Sequence, residues 1–199
     1  MKTIRSLPPA LLGSALLFFS FSQPAFSLPQ ATDQLRAPAE SSINAHQGDP
    51  VQTIRDEYAT INKNAASYKT VKKDLSGFSA GGGTLIAYMD GPKIMKIVAN
   101  HYGESGRAVE EYYYWDNQLI FIYRKDSGYD KPGSTKVVRT EENRFYFNGD
   151  KMLRWIGGNA KQVATGTSEY LQKEKDYLQL SKEFTDGARS QKPSIESSN

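Results

Sequence analysis

The mature part of the chain changes its hydrophobic rhythm twice. Val51, Ile54, Tyr58, Ile61 and Ala65 recur at steps of three and four, so they share one face of a helix from about Pro50 to Ala66. Asp49 supplies its N-cap and Pro50 its first residue. Tyr68 to Leu75 fits either a continuation of that helix or a first strand, the strand being preferred. Beyond Gly81-Gly82-Gly83 the pattern becomes short β-rich runs: Thr84 to Asp90, Lys93 to His101, Arg107 to Trp115, Gln118 to Lys125, Thr135 to Glu141, Arg144 to Asn148 and Lys151 to Ile156. Helical spacing returns after Thr167 or Ser168 and lasts to about Thr185, with Tyr170, Leu171, Tyr177, Leu178 and Phe184 on one face and Gly187 as terminator.

The order helix, strands, helix predicts an α+β domain: an antiparallel meander sheet of six or seven strands packed by an N-terminal and a C-terminal amphipathic helix. Asp90-Gly91-Pro92, Asp116-Asn117 and Asn148-Gly149 supply residues that tight hairpin turns favour.

The three hairpins share a pattern. Tyr88, Tyr114 and Tyr146 are each followed by a large apolar residue, a turn, Lys or Gln, and two aliphatic or Met residues. Over Tyr88 to Ile156 this resembles the secreted and periplasmic hairpin-repeat proteins of the YwqK/MORN-like type. The spacings of 26 and 32 residues are unequal and the middle copy lacks one turn residue, which favours one meandering sheet over a repeat array.

The N-terminus has a different logic. Lys2 and Arg5 precede a 12-residue apolar run from Ala10 to Phe21, and Ala25-Phe26-Ser27 places small residues at −3 and −1 of a cleavage site. The run is too short to span a bilayer, which needs about 20 apolar residues. Residues 1–27 therefore read as a signal peptide, 28–48 as a disordered leader, 49–187 as a single domain and 188–199 as a disordered tail. The protein is expected to be periplasmic or extracellular, without stable membrane insertion after cleavage. The chain has no cysteine, so its stability must come from a packed core. The net charge is +3, or +1 once Lys2 and Arg5 are removed, which gives no basis for a nucleic-acid partner.

Candidate chemistry is sparse. Gly77-Phe78-Ser79-Ala80-Gly81 matches G-x-S-x-G, and Asp90 and His101 follow in α/β-hydrolase order. It leads into glycines and a strand where a hydrolase needs a strand-to-helix turn, so the better reading is a flexible glycine loop. His101 reads as an exposed turn-edge residue, and His46 lies in the leader. Two such histidines without cysteine make no transition-metal site, and no cofactor is implied. Glu110-Glu111 and Glu141-Glu142 must point to opposite faces of their strands. Asp126 to Asp130 reads as a loop with at most weak cation affinity.

Aromatic density is the remaining signal. In Tyr112-Tyr113-Tyr114-Trp115, alternation puts Tyr112 and Tyr114 on one face and Tyr113 and Trp115 on the other. If both helices cover one face, the pair on the other, either Tyr112 with Tyr114 or Tyr113 with Trp115, offers a binding surface for a protein or a cell-wall glycan. The expectation is an exported, non-enzymatic binding module. The alternatives are a small serine hydrolase using Ser79 and a purely structural envelope protein.

Overall fold

The computed structural model describes residues 49–198. The segments expected to be a signal peptide and a leader, with His46, lie outside them. The fold is α+β. Helix α1 (Pro50–Asn64) and a 3-10 turn (Ala65–Ser67) lead into strands β1 (Lys69–Ser76), β2 (Gly83–Asp90), β3 (Lys93–Gly103), β4 (Gly106–Trp115), β5 (Gln118–Tyr129), β6 (Val137–Asn148) and β7 (Lys151–Ile156). Helix α2 (Ser168–Arg189) and the short strand β8 (Ser194–Glu196) complete it. The sheet order is β7-β6-β5-β4-β3-β2-β1-β8. Consecutive strands from β1 to β7 pair antiparallel, and β8 joins β1 in parallel. Both helices begin at side-chain caps: Asp49 accepts from the Val51 amide at 3.0 Å and Thr167 from the Tyr170 amide at 3.2 Å.

The helices do not share a face. Val51, Ile54 and Ile61 of α1 pack with Tyr113, Ile120, Phe121 and Tyr146. Tyr170, Tyr177, Phe184 and Ala188 of α2 pack with Ile97, Tyr112, Ile122 and Phe145 on the opposite side. The expectation of one covered and one bare face is thereby corrected. The physical reason is the sequence of β4 itself: successive tyrosines put a large ring on each face, and each buried ring is worth about 1.5–3 kcal/mol. A layer on each side gains both contributions. On α2, Glu174 and Ser181 take buried places expected for Leu171, which is exposed.

The three hairpins share one register. The pairs Asp90 with Lys93, Trp115 with Gln118 and Asn148 with Lys151 close two-residue turns. In each, a β-bulge leaves the third residue of the return strand unpaired: Met95, Ile120 and Leu153. These residues pack on the α1 side, while Ile94, Leu119 and Met152 before them pack on the α2 side. The counterpart of Tyr88 and Tyr146 is therefore Tyr113, not Tyr114, and the middle hairpin lacks no residue. Asp116 and Asn117 both have positive φ, the type I′ pattern, whereas only the first turn residue does in the other two, at Gly91 and Gly149.

Three boundaries differ from the sequence reading. The runs Thr135 to Glu141 and Arg144 to Asn148 form the one strand β6. Helix α2 continues through Gly187, where a Cβ would lie 2.4 Å from Ile195 Cδ1, so this glycine permits close packing rather than ending the helix. The segment read as a disordered tail contains β8, with Ile195 buried in the core. Buried Lys73 holds this corner by donating to the Ser190 carbonyl at 2.8 Å and to that of Lys192. Among the described residues no helix is long and apolar enough to cross a membrane.

Candidate functional site

Helix α1 is short, and where its coverage stops a cavity of about 400 Å³ opens between its flank and the sheet. Ile54, Arg55 and Tyr58 come from α1; Glu111, Phe121, Tyr123, Arg144 and Tyr146 come from β4, β5 and β6. The register of β5 with β6 sets Phe121 opposite Tyr146 and Tyr123 opposite Arg144. The rings form a contiguous wall. Tyr58 lies 4.8 Å from Tyr113 and 5.3 Å from Phe121, the latter nearly edge to face, and Phe121 lies 5.0 Å from Tyr146.

Charge is arranged around this wall. The Arg144 guanidinium sits 5.5 Å from the Tyr123 ring centre and 2.8 Å from Glu142. Burial, followed by the neighbouring Glu142, pushes the Tyr123 hydroxyl up to about 12. Glu111 accepts from Lys96 at 2.9 Å and from the Tyr113 hydroxyl. Arg55 lies 5.9 Å over the Tyr146 ring. The wall thus offers apolar ring surface, hydroxyl and guanidinium donors and a carboxylate acceptor, within the size range of small-ligand sites.

The tyrosines singled out from sequence are placed otherwise. Tyr112 and Tyr114 are buried beneath α2, and Tyr113 is buried beneath α1. Only Trp115, at the hairpin corner, is open, at 44% exposure. Neither Tyr112 with Tyr114 nor Tyr113 with Trp115 forms a bare face. The structure instead brings together Tyr58, Phe121, Tyr123 and Tyr146. Tyr58 was legible as a residue of the α1 face, but not the strand pairing or the bulge at Ile120, which moves Phe121 and Tyr123 to the α1 side.

The opposite face carries a polar cluster. Glu110, only 1% exposed, accepts from Arg124 at 2.6 Å and from the Tyr112 hydroxyl at 2.7 Å, and His101 Nε2 lies 3.4 Å away. Arg124 also makes two bonds to Asp126, at 2.8 and 2.7 Å. Burial alone would raise the Glu110 carboxyl, but the His101 contact, the Arg124 charge and the Tyr112 hydroxyl together hold it below the ordinary carboxylate value. His101 is therefore not the exposed edge residue expected: its side chain is 13% exposed and its Nδ1 is buried without a partner. Asp126 belongs to β5 rather than to a loop, and its carboxylate is occupied by Arg124. Glu110 and Glu111 do face opposite sides.

Ser79 and His101 both line a cavity of about 410 Å³ beside this cluster. The Ser79 hydroxyl, however, donates to the Gly82 carbonyl at 2.5 Å, and Asp90 lies at the far end of β2. The glycine loop is fixed against β3 by the Gly81 amide to Tyr102 carbonyl bond of 2.8 Å and its reciprocal, Tyr102 to Gly82, of 2.9 Å. A Cβ on Gly81 would sit 2.7 Å from the Tyr102 carbonyl oxygen, so the close backbone approach explains this glycine. No group of three or more His, Asp or Glu among the described residues is placed to hold a metal ion. The chain matches no protein-family model, and neither a curated protein nor a solved structure matches it.

Proposed function

We propose that this protein is an exported, non-enzymatic binding module that holds a cell-wall glycan in the cavity between α1 and the sheet. The observation that carries the reading is the ring wall of Tyr58, Phe121, Tyr123 and Tyr146 around about 400 Å³ of space. Sugar rings present C–H faces that pack on aromatic surface and hydroxyls that need donors and acceptors. Rings with a polar handle supply both. Read as an export signal, residues 1–27 would bring the protein to the compartment where such glycans occur. The test is co-sedimentation with purified peptidoglycan sacculi. The protein should pellet with them, and a Tyr58→Ala, Tyr123→Ala double variant that keeps its circular dichroism spectrum should stay in solution. Wild-type protein that remains in the supernatant contradicts the reading.

A second reading, a small serine hydrolase using Ser79, draws on the shared cavity of Ser79 and His101 with Glu110 beside the imidazole. It requires the serine to leave Gly82 and turn to His101. A fluorophosphonate probe separates the two readings. The binding-module reading expects no label, and labelling abolished by Ser79→Ala establishes the hydrolase.

A further inference from the structure

The ligand class can be narrowed by the charges around the ring wall, an inference that rests on the glycan reading above. Each ionic group there is matched except one. Glu111 is matched by Lys96 at 2.9 Å, and Arg144 by Glu142 at 2.8 Å. Arg55 has no carboxylate within ion-pair distance among the described residues. Its helical neighbours at three and four positions are Val51, Gln52, Tyr58 and Ala59, none of them acidic. Its guanidinium carbon lies 5.9 Å from the centre of the Tyr146 ring at the cavity wall, on an exposed side chain whose N–H donors can turn to an acceptor in the cavity.

We infer that the cavity selects a pyranose carrying a carboxylate, its ring packed on Tyr58 and Tyr123 above the buried Phe121 and its acid group taken by Arg55. A neutral sugar would use the same rings and leave the Arg55 charge unanswered. A guanidinium to carboxylate contact is charge-assisted and stronger than a neutral hydrogen bond, so the acid should be preferred.

Isothermal titration of the protein with N-acetylmuramic acid and with its methyl ester probes that contact, because the ester keeps the sugar and replaces the charge by one methyl group. The acid is expected to bind about tenfold more tightly than the ester. Arg55→Gln, a substitution neutral for helix formation, should bring acid and ester to the same affinity within the variant. Higher ionic strength should narrow the gap in the wild type alone. Equal affinity for acid and ester overturns the carboxylate inference while the glycan reading stands. A preference that survives Arg55→Gln overturns the assignment to Arg55. If neither sugar binds, the glycan reading fails and this inference with it.

Discussion

The two faces of the sheet are equally rich in aromatic residues but are finished differently. On the α2 side a helix of 22 residues buries Tyr170, Tyr177, Phe184 and Ala188 against the sheet and covers polar pairs, Tyr114 with Ser181 at 3.1 Å, Trp155 with Asn143 at 3.0 Å and Glu174 with the Met152 amide at 2.7 Å, while the cavity on this side is lined by the charged Glu110, Arg124 and His101 rather than by a wall of rings. On the α1 side a helix of 15 residues buries three residues and leaves Tyr58 at 38% exposure over a cavity. Ring content alone therefore does not distinguish core from binding surface. Exposure does: Phe121 and Tyr146 are buried against α1, whereas Tyr58 and Tyr123 at its flank stay partly open to another molecule.

The largest expected effects lie where coverage is complete. Phe184→Ala and Tyr112→Ala should each cost about 3–5 kcal/mol in urea melts. Tyr113→Ala should fall in the same range, since this ring is enclosed by α1, and Trp115→Ala should cost roughly 0.5 kcal/mol or less. Equal losses at Tyr113 and Trp115 would break the account of the α1 side.

Next comes the buried carboxylate. Removing its main cation by Arg124→Leu should cost about 2–3 kcal/mol, because Glu110 stays buried without a charge partner. Glu110 titrates in the folded protein below its ordinary value of 4.5, so its contribution is complete above that value and is lost as pH falls through the folded one. Glu110→Gln should therefore show a shallower loss of stability on acidification than the wild type, read from melts between about pH 7 and 3.

A smaller effect tests the C-terminal corner. Gly187→Ala would gain about 1 kcal/mol in an isolated helix, yet its Cβ would meet three Ile195 side-chain atoms at 2.4 to 3.0 Å. Overpacking should dominate, giving a net loss of about 1 kcal/mol. In an Ile195→Ala background the same substitution should become neutral or stabilising.

How much of this was legible beforehand depends on the range of the signal. Helix α1, its Asp49 cap and the three turns are written in local spacing, and they agree with the structure. So is the division of Glu110 from Glu111. The strand pairing is not local: the bulges at Met95, Ile120 and Leu153 shift one residue across the sheet, and no side-chain pattern marks them. This is why the hairpin alignment was misplaced at Tyr114 and why Phe121 and Tyr123 were not joined to Tyr58. The Glu110, Arg124 and His101 cluster was invisible for the same reason, its members lying on three strands. Strand β8 is three residues long, too short for a period to show.

A small expected cost in stability accompanies the largest in binding. Tyr123→Ala should lose less than about 1 kcal/mol in a urea melt, since the side chain is only partly buried, while weakening glycan binding by about tenfold or more.

The contrast between the faces is tested most directly by mapping amide and aromatic NMR shifts during titration with N-acetylmuramic acid. The shifts are expected to concentrate on Arg55, Tyr58, Phe121, Tyr123 and Tyr146, with Tyr112, Tyr177 and Phe184 unmoved. Shifts centred on His101 and Arg124, or none at saturating ligand, would contradict the assignment of the α1 side as the binding face.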